Sequence, residues 1–377
     1  GGGVMECRLA ALLFFRANLF NLTVSAVKCR VIKLLSSVAR RPGCLTWTLG
    51  PLGPAGHIKE GTKDMSILVI GGAGFIGRRL VPILAADGHA VTCMDIDVAG
   101  AAAAFASLAD KVTIVRGDVT QFDDVIGAVQ ESGAERLINL SYFIGDLPPH
   151  VAFKLDIQGM DNCFEAARRC GVKHTVFASS LAVSGPQDYF GERLVDESDE
   201  RRGESQYAVN KITNEWQAHD YRRAYGMVIT CIRPANVTGP DKKFGSIDHV
   251  NCMCQPARGQ SVTFPHADTR RCVIHVDDMA EVFARVLLSD KPKHETYNSG
   301  GATVSLGELA DQVREFLPDA DIRFDAETGG REASGNYLID NSRLIEEFGL
   351  QYAPLRQRVK EVINDIRADE GQPPLMS

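Results

Sequence analysis

The sequence predicts an α/β protein built on a doubly wound parallel sheet, with helices on both faces of that sheet. Two observations predict this fold class. From Met65 onward, short apolar runs alternate with longer helical patterns at the spacing of strand–helix units. A glycine cluster follows the first apolar run, at the position where a parallel sheet turns into its first helix. The 377 residues also leave room for a second, smaller lobe.

Five short apolar runs are expected to be successive strands because turn residues or helical patterns bound each of them. They are residues 66–70, 90–94, 112–115, 136–140 and 175–178. Helical patterns lie between the strands, and the clearest are those after the glycine cluster, at 122–129 and at 158–169. Gly88 and Gly171 stop two of these helices.

After about residue 235 the alternation becomes less regular. Glycine, proline and short strands mix there with helical patterns near 279–288, 306–316 and 355–367. We therefore expect 65–235 to form the parallel-sheet domain. Residues 236–377 should form mainly a smaller C-terminal α/β lobe, interleaved with that domain and covering the carboxyl edge of its sheet.

Residues 1–64 differ from the rest of the chain in charge. They hold nine basic and three acidic residues, a net charge of +6, whereas residues 65–377 carry −13. The apolar stretch within 9–27 is interrupted by Arg16, Asn18 and Asn21, so it lacks the roughly 20 apolar residues of a membrane span. We expect this segment to lie outside the fold, as a misassigned start, a transit-like leader or an accessory element.

The composition excludes several other classes of function. A net charge of −7, from 41 basic and 48 acidic residues, gives no reason to expect nucleic-acid binding. The ten cysteines include no CxxC pair, and the single close pair, Cys252 and Cys254, does not predict a metal site. We expect reduced thiols in a cytoplasmic protein that has no metal and no membrane partner.

The glycine cluster has the spacing of a dinucleotide-binding turn. Gly71 would allow the tight turn, Gly74 would let the backbone approach a pyrophosphate, and Gly77 would permit close packing of helix on strand. The free N–H groups at the start of the helix suit phosphate oxygens. A plain turn is the alternative for any glycine cluster taken alone.

Two carboxylates follow the next strands. Asp95 ends the second predicted strand, where a carboxylate accepts hydrogen bonds from a ribose 2′-hydroxyl and repels a 2′-phosphate. This position favours NAD over NADP, and a loop carboxylate or helix cap is the alternative. Asp118, after the third strand, is a weaker candidate for an adenine amino group.

Three residues later in the chain have the chemistry of proton transfer at a hydroxyl. Tyr207 and Lys211 are four residues apart, so they are adjacent on one helix face, and the lysine would lower the pKa of the phenol. Ser180 follows the fifth strand at the carboxyl edge, where its hydroxyl can hold a reacting oxygen. Ser179 is the adjacent alternative, and a surface pair is the alternative for Tyr207 and Lys211.

In order along the chain, five motifs resemble the extended short-chain dehydrogenase/reductase superfamily and, within it, the NAD-dependent epimerase/dehydratase family. The motifs are residues 71–77, 178–185, 207–211, 233–240 and 271–278. The resemblance extends from 65 to about 368. It implies a Rossmann-like domain that binds NAD and a substrate lobe beside it.

The resemblance also implies roles for individual residues. It makes Ser180, Tyr207 and Lys211 catalytic, and the position of Gly185 selects Ser180 over Ser179. Contacts with the cofactor are expected at Gly71, Gly74, Phe75, Ile76, Gly77, Asp95, Asp118, Val119, Leu140, Ser141, Tyr207, Lys211, Pro234 and Ala235. Contacts with the substrate are expected at Ser180, Asn236, Arg271 and Arg331. The two arginines would bind a nucleotide-sugar diphosphate, and a surface ion pair is the alternative for each.

Three departures from the family pattern affect the predicted chemistry. Leu181 and Ala182 stand where dehydratases and decarboxylases of the family carry a carboxylate, so dehydration is disfavoured. Ser184 replaces the tyrosine of the family's VYG triplet. Tyr142 ends a segment that replaces the family's H-x-A-A strand end, which puts a bulky ring near the expected nicotinamide.

These residues predict an NAD-dependent epimerase of a nucleotide sugar, which oxidises a hydroxyl to a ketone and returns hydride to the opposite face. A dehydrogenase that releases the ketone is the alternative, and a non-catalytic NAD-binding regulator is disfavoured by the complete catalytic set. Relatives dimerise through helices like those at 122–129 and 158–169, so a homodimer is expected. Phe164 and Ala167 on these helices fit a sheet-facing core equally well.

Overall fold

The computed structural model describes residues 65–143, 145, 147–240, 242–325 and 335–375. Seven parallel strands form the main sheet, in the order β3-β2-β1-β4-β5-β6-β10. In chain order the twelve strands of the described chain are β1 Ser66–Ile70, β2 Ala90–Asp95, β3 Val112–Arg116, β4 Arg136–Asn139, β5 His174–Ala178, β6 Ile229–Arg233, β7 Asn236–Thr238, β8 Val262–Phe264, β9 Arg270–His275, β10 Thr296–Asn298, β11 Ala302–Ser305 and β12 Ile322–Phe324. The predicted doubly wound parallel sheet is confirmed, and its strand order reverses between β1 and β4.

Helices connect the strands and cover the sheet. Within the described residues they are α1 Gly77–Ala86, α2 Val98–Ala104, α3 Phe122–Ser132, α4 Pro149–Ala152, α5 Gly159–Cys170, α6 Gln206–Tyr225, α7 Asp248–Ala257, α8 Val276–Leu288, α9 Leu306–Phe316, α10 Ser342–Phe348 and α11 Leu355–Asp369. A π-helical turn, Phe153–Gln158, joins α4 to α5, and a 3-10 turn, Leu181–Ser184, follows β5.

Alternate residues of each central strand face opposite layers of helices, as a pleated strand requires. Ile67 and Val69 of β1 lie in the core shared with α1 and α8. Leu68 and Ile70 lie in the core shared with α3 and α5. The near-continuous apolar runs of the sequence therefore mark strands that are buried on both faces.

The C-terminal part of the described chain forms two small sheets and a second core. The sheets have the orders β11-β9-β7 and β12-β8. The second core is built largely from the inner faces of α7, α9 and α11. Strand β10 pairs with β6 at the edge of the main sheet, so the C-terminal part of the chain also supplies the last strand of that sheet.

Among the described residues, none of the helices has the length and apolar character needed to cross a bilayer. Residues 1–64, the predicted leader, lie outside the described residues, and so does Arg331.

Candidate active site

The glycine turn after β1 is tight enough to exclude side chains at two positions. Gly71 has a φ of +77°, and a Cβ there would lie 2.6 Å from the backbone nitrogen of Ser141. A Cβ on Gly77 would lie 2.6 Å from Gly72 Cα, so α1 packs directly on the turn. Gly74 is exposed, and a Cβ there would meet only the Gly71 carbonyl oxygen, at 3.1 Å. The open approach at Gly74 suits a phosphate group in contact with the backbone.

Asp95 holds this turn from the end of β2. Its Oδ2 accepts a hydrogen bond of 2.9 Å from the Ala73 N–H, and its Oδ1 accepts one of 3.0 Å from the Asp97 N–H. The carboxylate is partly exposed. It therefore lies beside the glycine turn and is partly accessible to solvent, as expected of a carboxylate that accepts hydrogen bonds from ribose hydroxyls.

A cleft of about 430 Å³ opens at this edge of the sheet. Five of the residues predicted to contact the cofactor line it: Gly71, Asp95, Asp118, Val119 and Ser141. The sequence did not single out the opposite wall, which consists of His150, Val151, Lys154 and Leu155. These wall residues come from α4 and the π-helical turn, and only the folded chain brings them to the glycine turn.

Local hydrogen bonds fix Asp118 and Ser141 in the cleft. Asp118 Oδ1 accepts from the Thr120 N–H at 2.9 Å, and the Asp118 N–H donates to Asp124 at 2.9 Å. The Ser141 N–H and hydroxyl both donate to Asn139 Oδ1, at 2.9 and 2.6 Å. The side chain of Asn139 is thus used to shape the loop after β4.

Ser180, Tyr207 and Lys211 meet at the carboxyl end of β5. Ser180 Oγ accepts a hydrogen bond of 3.1 Å from the Ala182 N–H, and this bond begins the 3-10 turn. The hydroxyl hydrogen of Ser180 is then free to be donated to the Tyr207 oxygen. The neighbouring Ser179 is buried and donates instead to Glu215 at 2.8 Å. These contacts agree with the choice of Ser180 rather than Ser179.

The pKa values at this site are set mainly by burial. Burial raises the pKa of Tyr207 to about 12, the Ser180 hydrogen bond acts to lower it, and the Asp156 charge adds to the rise. This direction is opposite to the lowering expected from Lys211. Burial also lowers the pKa of Lys211 to about 7, against the charges of Asp156 and Glu215, which act to raise it. The cationic form of the lysine therefore depends on its neighbours.

Lys211 Nζ makes two close contacts. It donates a hydrogen bond of 2.6 Å to the Ala178 carbonyl oxygen, and it lies 3.2 Å from the centroid of the Tyr142 ring. The Tyr142 ring also packs edge-on against the Tyr207 ring, with 5.3 Å between centroids. Tyr142, which departs from the family pattern in the sequence, is thus in direct contact with the side chains of Tyr207 and Lys211.

The segment after β6 lies beside the serine turn. The Pro234 carbonyl oxygen accepts from the Leu181 N–H at 3.1 Å, and the Ala235 N–H donates to Ser299 at 2.8 Å. Asn236 donates to the Cys272 carbonyl oxygen at 3.2 Å. The structure therefore links this segment to the Ser180 turn on one side and to β9 on the other.

Arg271 is mostly buried and pairs with Asp248, its Nη2 donating a hydrogen bond of 2.7 Å to Asp248 Oδ2. Its Nε atom is buried without a hydrogen-bond partner among the described residues. The predicted role in binding a diphosphate remains a prediction. Across all the residues that the structure describes, no group of three or more potential metal ligands lies close together.

A glycine turn, a carboxylate at the end of β2 and a serine–tyrosine–lysine set on one edge of a parallel sheet are the arrangement expected of an NAD-dependent enzyme. The NAD dependent epimerase/dehydratase family matches residues 67–300, and the chain belongs to this family. Its cofactor is NAD.

Individual relatives agree with this assignment. The chain is 32% identical over 234 residues to a UDP-glucose 4-epimerase of Mycolicibacterium smegmatis, covering 59% of this chain and 72% of the relative. It is 25% identical over 314 residues to a dTDP-4-dehydro-6-deoxy-D-allose reductase of a Streptomyces species, covering 78% of this chain and 94% of the relative. The UDP-glucose 4-epimerase of Thermus thermophilus, solved with NAD, superposes with a TM-score of 0.69 at 25% identity, over 80% of this chain and 98% of that one.

Proposed function

We propose that this protein is an NAD-dependent epimerase that inverts a hydroxyl-bearing carbon of a nucleotide sugar. The observation that supports it most directly is the Ser180–Tyr207 contact after β5, with no carboxylate in the serine turn. Leu181 and Ala182 follow Ser180, so the turn offers no group for proton transfer at a second carbon. Elimination is therefore disfavoured, whereas oxidation and reduction at one carbon need no further base.

NAD, when bound, supplies the hydride acceptor for this chemistry. Ser180 holds the reacting oxygen of the substrate by its hydroxyl, and Tyr207 takes the hydroxyl proton and later returns it. Lys211 stabilises the phenolate as a nearby cation. Inversion requires the ketone to turn over in the site before it is reduced, so the site must retain it.

Two observations favour a nucleotide sugar as substrate. The relatives named above act, by their names, on UDP- or dTDP-linked sugars. In addition, Lys242 and Arg271, two cationic side chains, both lie near Asp248, and the three described side chains together carry a net positive charge. Two phosphates of a diphosphate would balance that charge in a chain that is acidic overall.

A dehydrogenase that releases its ketone is a second candidate, and the position of Tyr142 favours it. The Tyr142 ring stands edge-on against Tyr207, so we expect it to limit the space in which a bound ketone could turn. Both candidates use the same three catalytic residues. They differ in whether the intermediate leaves before it is reduced.

Incubation of the protein with NAD and a panel of UDP- and dTDP-sugars separates the two. An epimerase produces the epimer, seen by NMR, with no net NADH. A dehydrogenase accumulates NADH and a free ketone in equal amounts. Absence of both products across the panel would contradict the nucleotide-sugar assignment.

We also propose that the protein forms a homodimer, through a surface different from the one expected. Most apolar residues of α3 and α5, including Phe164 and Ala167, are buried in the core, and Phe122 and Ile126 of α3 pack against it. Exposed apolar side chains lie instead on α6, at Val209 and Trp216, and on the π-helical turn, at Phe153. Light scattering of the wild type and of Trp216→Glu tests this, because the charge should shift the mass toward a monomer.

A further inference from the structure

Behind Lys211 lies a buried polar cluster that the acid–base mechanism does not use. We call Tyr142, Asp156 and Asn210 the Asp156 cluster. Asp156 is 3% exposed and belongs to the π-helical turn, a backbone form that is often found at functional sites. Its Oδ2 accepts a hydrogen bond of 2.9 Å from Asn210, the residue before Lys211.

The cluster touches Lys211 through the Tyr142 ring. The ammonium lies over the face of this ring at 3.2 Å, and the Tyr142 hydroxyl lies beside Asp156 and Asn210. Neither that hydroxyl nor Asp156 Oδ1 makes a hydrogen bond of good geometry within the described residues. Burial strongly raises the pKa of Tyr142, and the Asp156 charge adds to the rise, so this phenol is neutral and brings no charge to the cluster.

The other acidic groups that face Lys211 are neutral or already paired. Glu215 on α6 receives two hydrogen bonds from Arg233 and one from Arg201. Burial raises the pKa of the Cys231 thiol on β6, so that group is uncharged at neutral pH. Burial also raises the pKa of Tyr207, so its phenol is neutral in the resting protein and must ionise beside Lys211 before it can take a proton. Asp156 is thus the one carboxyl group facing Lys211, among those described, that no arginine pairs with.

We propose that Asp156 is a positioning residue for Lys211: its carboxylate is the counter-charge that keeps the lysine an ammonium, while the Tyr142 ring shields that ammonium from water. A buried ammonium without a partner loses its proton rather than remain charged in a medium of low polarity. The ring face supplies attraction to the cation in place of water. Asn210 holds the carboxylate on the side of the cluster that faces α6.

This inference rests on the proposed function only in assigning the Lys211 ammonium a task, which is to stabilise the Tyr207 phenolate. The electrostatic coupling between Asp156 and Lys211 does not depend on it. Burial raises the pKa of Asp156, while Asn210, Lys211, Tyr142 and the Phe143 N–H act to lower it. Asp156 and Lys211 therefore stabilise each other's charged forms. The opposite arrangement, a neutral acid beside a neutral amine, is the outcome that the experiment must detect.

The experiment is an NMR titration of the full protein, with 13C-labelled lysine and the Lys211 signal assigned by its absence in Lys211→Met. We expect the wild-type Lys211 to titrate near pH 7. We expect Asp156→Asn to lower that midpoint by about one pH unit, a tenfold loss of proton affinity. An unchanged midpoint in Asp156→Asn, or a lysine that is neutral throughout in the wild type, would overturn the proposal.

The matched control is Asp161→Asn. Asp161 is another partly buried aspartate beside a tyrosine, Tyr221, and it does not face Lys211. Its replacement should leave the Lys211 titration in place. A shift equal to that of Asp156→Asn would point to a general effect of the substitution on the fold and would contradict the assigned role.

A reciprocal measurement covers the case in which Asp156→Asn does not fold. Coupling between two charges is the same seen from either side. In Lys211→Met, the 13C carboxyl signal of Asp156 should therefore titrate at higher pH than in the wild type, and an unmoved signal would contradict the proposal. These titrations need no substrate. If Tyr207→Phe were fully active while the Lys211 midpoint shifted as expected, the proposed function would fail and this inference would stand.

Discussion

Arg233 and Glu215 form a two-point ion pair in the interior of the protein. Nε and Nη2 of Arg233 each donate to one carboxylate oxygen of Glu215, at 2.8 Å. Both side chains are almost fully buried, and the pair joins β6 to α6 one helical turn beyond Lys211. Ser179 donates to the same carboxylate. Glu215 therefore ties the end of β6, through Arg233, and the end of β5, through Ser179, to the helix that carries Tyr207 and Lys211.

Replacement of Glu215 by glutamine should be strongly destabilising. Arg233 and Arg201 hold the pKa of Glu215 at about 2 despite its burial, so the carboxylate is charged at neutral pH. Its loss removes the only carboxylate hydrogen-bonded to the buried Arg233 guanidinium among the described residues, which we expect to cost about 3–5 kcal/mol of unfolding free energy in urea. Glu281→Gln is the control, because Glu281 pairs with Arg285 on the surface of α8 and should cost below ~0.5 kcal/mol. Equal losses of unfolding free energy in the two variants would contradict the stabilising role assigned to the Arg233–Glu215 pair.

The sheet was predictable from the sequence because its central strands are short apolar runs buried on both faces. The boundaries of β1, β3 and β5 lie within one residue of the prediction. Helix α7 was not predicted, since its residues 248–257 include a proline and two cysteines and no strong helical pattern. Strand β10 has three residues and is defined by pairing with β6, so local sequence does not mark it.

The site was predictable where one segment of chain carries it. The glycine turn and the Tyr207–Lys211 spacing are such local features. Asp156 was missed because its partner Asn210 is 54 positions away, and neither residue belongs to a motif. Helix α6 buries Asn210, Lys211, Asn214 and Glu215, and a helix that turns polar residues inward escapes hydrophobic periodicity.

Two glycine-to-alanine substitutions, one beside the glycine turn and one in a helix on the other face of the sheet, should have opposite effects on stability. Gly77→Ala places a Cβ 2.6 Å from Gly72 Cα, so the turn must shift. We expect a loss of about 1–3 kcal/mol in unfolding free energy and weaker NAD binding. Gly127 lies within α3 with open space around it, so Gly127→Ala should gain about 0.5–1 kcal/mol. Urea unfolding and NAD titration measure both, and tolerance of Gly77→Ala would contradict the close packing of α1.

Asp95 should set the preference for NAD over NADP. Asn at this position keeps a hydrogen-bond acceptor for the Ala73 N–H and removes the charge that repels a 2′-phosphate. We expect Asp95→Asn to lower the ratio of NAD to NADP affinity roughly tenfold, measured by calorimetry. Asp97→Asn is the control, because Asp97 is exposed and caps α2. An unchanged ratio in Asp95→Asn would remove the role assigned to this carboxylate.

Tyr207→Phe should abolish most of the activity and leave NAD bound. The substitution removes the phenol that receives the Ser180 hydrogen bond and keeps the ring that packs on Tyr142. General acid–base catalysis contributes about 10²–10⁴ in rate, so a loss of that size in kcat is expected. Tyr221→Phe, in the same helix and bonded to Asp161, is the matched control and should keep its activity. Equal activity of the two variants would exclude Tyr207 as the acid–base residue.

His174 should make the protein less stable in mild acid. The imidazole is fully buried between Thr230 and the Leu287 carbonyl oxygen, and burial lowers its pKa to about 4. An unfolded histidine has a pKa of about 6.5, so the unfolded chain binds more protons between these values and stability falls as the pH drops. From pH 7 to pH 5 this histidine alone should account for a loss of about 2 kcal/mol in unfolding free energy. In urea titrations at the two pH values, His174→Gln should flatten the pH dependence by that amount, whereas His150→Gln, at an exposed position, should not.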